Sequence, residues 1–278
     1  MNRRTFICTA SVGSLAICGC SKQEPQSEIQ VPKVETPVTG NSSSHIVTLS
    51  FDDGFKKSFN RVADIYEDFG LHACLNVIAS AHLPTYKAVD DWILPELMGD
   101  FDDWNRLKQR GHEIMPHSWQ HENLAKLPLA EATELIDKCL DYFEQNLDGY
   151  QTSEAIFNFP FNSSNADLEQ HALKRVRAIR SGGDSAVNPI PNSPEQARLS
   201  CWCYGRPNNC DGWIEKQIQK FLDDDEGGWL ILNLHGLDDE GWAPISTKFL
   251  VKLLKRLESI GNVKVQPAGE VLQLRRQQ

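Results

Sequence analysis

The chain has 278 residues, 38 of them acidic and 28 basic, for a formal net charge of -10; 40% are hydrophobic and 24% charged. That length suits one sizeable domain, or at most two small ones, whose core needs no covalent staples. The negative balance excludes a broad phosphate-reading surface, and so a nucleic-acid partner, and it excludes broad electrostatic docking to anionic lipid.

The N-terminus reads as a targeting segment. Arg3 and Arg4 precede residues 5–19, which carry no charge and are too few to span a bilayer permanently. The run ends in Ile17-Cys18-Gly19-Cys20. This resembles a bacterial lipobox, which implies that residues 1–20 are a lipoprotein signal peptide and that Cys20 is lipidated. Arg3-Arg4-Thr5-Phe6-Ile7 also resembles a twin-arginine export signal, the alternative being an ordinary basic start. Residues 21–44, with Pro25, Pro32, Pro37, Gly40 and three successive serines, read as a flexible tether. The expectation is an exported lipoprotein, periplasmic or at the cell surface, with its domain over residues 45–275.

From His45 onward, strands and helices alternate. Residues 46–51 read as a strand that stops at Asp52-Asp53-Gly54. Residues 57–69 carry Phe59, Val62, Ala63 and Tyr66 at helical spacing, and Gly70 follows as a stop. Further strands are expected at 73–78, 112–117, 157–161, 178–180, 229–234 and 263–265. Helices are expected at 104–110, 129–145, 167–176, 212–222 and 247–259. Residues 85–103 and 181–198 read as loops that shape a cleft. This cadence predicts parallel βαβ units in a single α/β domain, with about seven strands in a barrel and the chemistry at the strand ends.

Three places carry residues that are costly to bury without a purpose. Asp52 and Asp53 end an apolar strand; a turn there can bring both carboxylates to one pocket, although Asp-Gly is also an ordinary turn signal. His117 and His121 stand four residues apart, so on a helical turn they would share a face and one metal ion. His112, Glu113 and His117 form H-E-x3-H, one residue too long for a metalloprotease helix, and Pro116 opposes a helix there. His235 closes the apolar run 229–234, where a rim acid or base would stand. Cys201, Cys203 and Cys210 do not have zinc-site spacing; a local disulfide or plain packing is expected of them.

Taken together, Ser50-Phe51-Asp52-Asp53-Gly54, His117-Ser118-Trp119-Gln120-His121 and Leu234-His235 resemble the polysaccharide deacetylases (carbohydrate esterase family 4). The resemblance covers nearly all of the chain from His45. It implies a distorted (β/α)7 barrel and a divalent metal, zinc most commonly, with cobalt, nickel or iron as alternatives. Asp53, His117 and His121 would hold the metal, Asp52 would be the base and His235 the acid in removing acetyl groups from a carbohydrate. The family's R-x-P-Y segment reads Asn158-Phe159-Pro160-Phe161 here, with Asn in place of the Arg that steadies the base. Asn158 can hydrogen-bond Asp52 without bringing charge; Arg180, at a later strand end, can supply it. Asn158, Pro160 and Phe161 are expected substrate contacts, and Trp119 and Trp242 either stack on a sugar ring or are packing residues. The rival readings are a carbohydrate-binding lipoprotein without catalysis, and an esterase or amidase for another acyl group.

Overall fold

Alternation along the first strand sets the architecture. In the computed structural model, which describes residues 45–88, 90–191 and 197–273, β1 (His45–Phe51) is buried along its whole length. Val47, Leu49 and Phe51 join one apolar cluster and Ile46 joins another. Successive side chains of a strand point to opposite faces, so Ile46, Thr48 and Ser50 share the second side. A strand covered on both faces is what a β/α barrel wall requires.

The other strands are β2 (Cys74–Val77), β3 (Glu113–Pro116), β4 (Ile156–Asn158), β5 (Ala178–Gly182), β6 (Val187–Asn188), β7 (Ala197–Cys203), β8 (Gly228–Leu234) and β9 (Val263–Val265). The helices are α1 (Lys56–Asp68), α2 (Phe101–Gln109), α3 (Leu129–Asn146), α4 (Ala166–Leu173), α5 (Asp211–Leu222), α6 (Thr247–Glu258) and α7 (Ala268–Gln273). Seven strands run parallel in the order β3-β2-β1-β8-β7-β5-β4, a nearly closed, distorted barrel in a single α/β domain. The seam lies between β3 and β4, which share no backbone ladder. Side chains clasp it instead. Asn158 Nδ2 donates to the Pro116 carbonyl at 3.2 Å, and the Ile156 N–H meets Met115 Sδ at 3.5 Å.

The seven-strand expectation holds with a different membership. β7, part of which was read as loop, is a barrel strand; its Ala-Arg-Leu-Ser-Cys-Trp-Cys run is only partly buried and lacks a strong apolar signal. β9 lies outside the ring, pairing with the first half of β1 while β2 takes the second half. α2 starts three residues earlier than periodicity suggests, because the Asp100 side chain caps it and Asp103 reciprocates.

The barrel interior has two levels. Its lower layer is apolar: Ile46, Ile156, Ala178, Leu199, Trp229 and Ile231 meet there, and α7 plugs it with Ala268, Val271 and Leu272. The Trp229 indole donates to Thr48 Oγ1 at 2.8 Å, so this bulky residue leaves no orphan N–H. Nearer the strand ends the buried interior side chains turn polar: Ser50, Asn76, Asn158 and Arg180. Helices α1 to α6 cover the outer face through residues such as Phe59, Ile136, Ile214 and Leu250. Residues 1–44, with Cys20 and the proposed tether, lie outside the described residues. Among the described residues, no helix is long and apolar enough to cross a membrane.

One carboxyl sits at the plugged end. Glu113 accepts from the Gly269 N–H, and the Cys74 thiol donates to it at 3.2 Å. Burial pushes this acid up to about 7. A carboxyl raised in the folded state holds its proton more tightly there than in the unfolded chain, so its favourable contribution is complete at low pH and is lost as pH rises through about 7. Glu113→Gln removes that dependence. Thermal melts of the two proteins should show the variant gaining a few degrees over the wild type between pH 5 and pH 8; parallel melting curves across that range would refute the assignment.

Candidate metal centre and cleft

The strand ends put the acidic pair together by two different routes. Asp52 continues the inward side of β1 after Ser50, and its N–H donates to the Leu234 carbonyl at 2.8 Å, so β1 and β8 end side by side. Asp53 instead turns in through a left-handed backbone, φ 80°, followed by Gly54 at φ 99°. Only glycine serves easily at Gly54, because a Cβ would lie 3.3 Å from the Trp104 ring on a backbone that L side chains rarely adopt.

The two histidines do not sit on a helical turn. Residues 117–121 form a loop in which Ser118 and His121 both have φ 64°, and the His121 N–H donates to Ser118 Oγ at 2.9 Å. That loop, rather than helical spacing, brings the rings to one point. His121 Nε2 lies 3.4 Å and His117 Nε2 3.5 Å from Asp53 Oδ1. The donor atoms of Asp53, His117 and His121 all fall within 4.8 Å of one another.

Their surroundings fix which atoms are free. His117 Nδ1 lies 2.9 Å from the Asn158 carbonyl and His121 Nδ1 lies 2.6 Å from Asp90 Oδ2. Both partners only accept, so each Nδ1 carries the hydrogen and each Nε2 turns a lone pair toward Asp53. Both Asp53 oxygens are buried without a hydrogen-bond partner among the described residues. Burial works against this carboxylate, and it is held below the usual range only when positive charge sits beside it on His121 or His117. An unpaired anion facing two imidazole lone pairs has no purpose without a cation, and one carboxylate with two imidazoles is a donor set suited to zinc or a similar divalent ion.

Asp52 is held differently. Arg180 Nη2 donates to its Oδ2 at 2.6 Å and Asn76 Nδ2 to its Oδ1 at 2.7 Å. Arg180 Nε also donates to Asn158 Oδ1 at 2.6 Å, and Asn158 Nδ2 donates to Asn76 Oδ1 at 2.9 Å. A closed ring of hydrogen bonds thus ties β1, β2, β4 and β5. Burial would raise the Asp52 acid, but the Arg180 guanidinium, with His117 and His235, keeps it below its ordinary value. Asn158 therefore does not touch Asp52 as the sequence suggested. It orients Arg180, and Arg180 supplies the charge.

His235 follows β8 into the same cleft as Asp52, His117 and His121. Its Nδ1 has no partner among the described residues, and burial pulls its pKa down against the pull of Asp53 and Asp52. The cleft measures about 650 Å³ and its walls include Trp92, Phe161, Trp202, Tyr204, Trp213 and Trp242. Phe161, at φ 57°, sets its ring 4.7 Å from that of His121. Trp242 lies 4.9 Å from Trp92.

Three expected substrate contacts are elsewhere. Trp119 packs on Tyr142 at 5.4 Å, with Lys138 Nζ 4.0 Å from its ring centroid. Its backbone carbonyl, which accepts from Ser80, belongs to the loop while the ring turns away. Pro160 is buried and does not line the cleft, and Asn158 is buried in the hydrogen-bonded ring rather than in the cleft wall. Sequence reasoning passed over Asn76, whose signal was a lone polar residue inside the apolar run 73–78, and Trp92 and Asp90, which sit in a loop without periodicity. The five cysteines of the described domain are free, so Cys201, Cys203 and Cys210 pack rather than pair.

Comparisons with known proteins agree with this fold. The polysaccharide deacetylase family model matches residues 39–176. The peptidoglycan-N-acetylmuramic acid deacetylase PdaC of Bacillus subtilis is 28% identical over 149 residues, which make up 53% of this chain and 27% of that protein. This chain thus spans about a quarter of that relative. The structure of PdaC superposes with a TM-score of 0.52 at 17% identity, covering 86% of this chain and 95% of that one. A Bacillus anthracis structure described as a carbohydrate esterase family 4 pseudoenzyme, BA3943, gives 0.54 at 14% identity over 84% of this chain and 67% of that one. At these identities the superpositions speak for the fold.

The ring makes a stability prediction. Arg180→Met leaves Asp52 charged and buried without its cation, which should cost about 3–5 kcal/mol. Adding Asp52→Asn should recover most of that loss in chemical denaturation. Equal destabilisation in the single and double variants would show that the two residues do not act as a pair.

Proposed function

The chain belongs to the polysaccharide deacetylase family, and on that premise we propose that it is a metal-dependent hydrolase that removes acetyl groups from a carbohydrate. The observation that carries the reading is the unpaired, buried Asp53 carboxylate facing two imidazole lone pairs, with a second, clamped carboxylate beside it. A divalent cation bound by Asp53, His117 and His121, with zinc the first choice and cobalt, nickel or iron the alternatives, would polarise an acyl carbonyl and acidify water.

The chain's own residues divide the remaining work. Asp52, 3.6 Å from His117 Nε2, takes a proton from the attacking water. Its pairing with Arg180 costs basicity and gives direction, since both oxygens are tied and the carboxylate cannot rotate away. His235 gives a proton to the departing nitrogen or oxygen, so that acetate and a sugar amine or alcohol leave. Phe161, Trp92 and Trp242 offer faces on which a sugar ring can stack. An acetylated poly- or oligosaccharide is the substrate class, and a peptidoglycan-type glycan is the first to try because of the PdaC relative.

Export completes the reading. Residues 1–20 would direct secretion, Cys20 would carry the lipid, and residues 21–44 would hold the domain away from the membrane surface. Cys20→Ala should abolish incorporation of labelled fatty acid in a bacterial host, and incorporation that persists would remove the anchor from the proposal.

The pseudoenzyme relative makes carbohydrate binding without turnover the rival outcome. Asp52 and His235 in one cleft favour catalysis, because a binder has no use for a base and an acid. Acetate release from a panel of acetylated glycans separates the two. Activity should vanish with chelator and return with zinc or cobalt. Asp52→Ala and His235→Ala should each lower kcat by about 10²–10⁴-fold, and Trp242→Ala should mainly raise KM. Turnover that survives chelation or Asp52→Ala would sink the mechanism; glycan binding with no acetate would favour the binder.

A further inference from the structure

We propose that Asp90 is a positioning residue for the metal centre, and that through it the segment Asp90–Met98 links metal retention to the wall of the cleft. This rests on the metal-centre reading above.

The two metal-facing histidines are oriented by unlike partners. His117 leans on a neutral backbone carbonyl at 2.9 Å. His121 leans on a carboxylate at 2.6 Å, in a pair whose side chains are 5% and 13% exposed. A carboxylate behind an imidazole fixes its tautomer and enriches the far nitrogen in electron density, which makes it a stronger ligand. That far nitrogen is the one 3.4 Å from Asp53 Oδ1. Ser118, by contrast, fixes only the His121 backbone and leaves the ring's outer nitrogen to Asp90.

The segment that brings Asp90 is built to stay in place. The Ile93 N–H closes a turn onto the Asp90 carbonyl at 3.2 Å. Ile93 and Met98 pack with Phe55 and Ile78 in a small apolar cluster of their own. Between them, Trp92 stands edge-on to the His121 ring at 6.4 Å and 83°, and 4.9 Å from Trp242. One imidazole therefore touches both the carboxylate that orients it and the tryptophan that walls the cleft. If seating this segment favours the cation, the cation must favour seating the segment by the same factor.

The test reads metal affinity and local order rather than turnover. Zinc and cobalt dissociation constants would be measured on the purified protein by chelator competition, for wild type, Asp90→Asn and Asp90→Ala. Both variants should bind about 10–100-fold more weakly, with metal-free melting temperatures unchanged and the visible band of the cobalt form altered. Zinc should slow amide exchange across residues 90–98 in the wild type and do so less in the variants. Affinities within threefold of wild type in both variants, or exchange in that segment indifferent to zinc, would overturn the inference and leave the metal centre standing. Absence of metal uptake by the wild type would instead overturn the metal centre, and this inference with it.

Discussion

A negative charge placed inside a barrel must be answered there, and the pairing of Asp52 with Arg180 is that answer. Both side chains are 1% exposed and their atoms meet at 2.6 Å. Such pairs rarely add net stability over apolar packing, because desolvation offsets their attraction, but neither member tolerates loss of the other. The rest of the polar layer follows from this. Asn158 must hold Arg180, Asn76 must fill the second Asp52 oxygen, and the two amides must satisfy each other. The apolar layer beneath, plugged by α7, is ordinary core.

Asp53 presents the opposite case. Its neighbour is fully satisfied, while its own oxygens have no hydrogen-bond partner among the described residues and face two imidazoles. Adjacent residues with the same side chain thus have separate chemical futures, decided by backbone dihedrals rather than by residue type. Strand alternation sends Asp52 into the amide and guanidinium ring, and the left-handed turn at Asp53 sends the next carboxylate to the histidines.

Much of this was legible in the sequence because the informative residues are local violations of pattern. Two acids after an apolar strand, a histidine closing another and paired histidines beside Pro116 each contradict simple burial, and all five side chains converge. The fold class was legible in the alternation of strands with helices, and in β8, which is apolar on one face and nearly so on the other. What was not legible depends on contacts distant in the chain. Arg180 reaches Asp52 across 128 positions, so only the closed barrel shows that Asn158 serves the arginine rather than the aspartate. Trp119 looked like a cleft residue by its place between the histidines, yet the loop dihedrals turn its ring toward Tyr142. β7 hid behind modest apolarity, and Asp90 behind a loop whose spacing carries no signal.

The unladdered seam between β3 and β4 has a consequence for how such proteins age over generations. The groups that clasp it, the Asn158 amide to Pro116 and the Asn158 carbonyl to the His117 ring, belong to the same layer that orients the site. A lineage that stopped turning over substrate would still be selected to keep them, because its barrel would otherwise gape. Their survival in a descendant would therefore record folding as much as chemistry. His235, whose Nδ1 fastens nothing among the described residues, carries no such second duty.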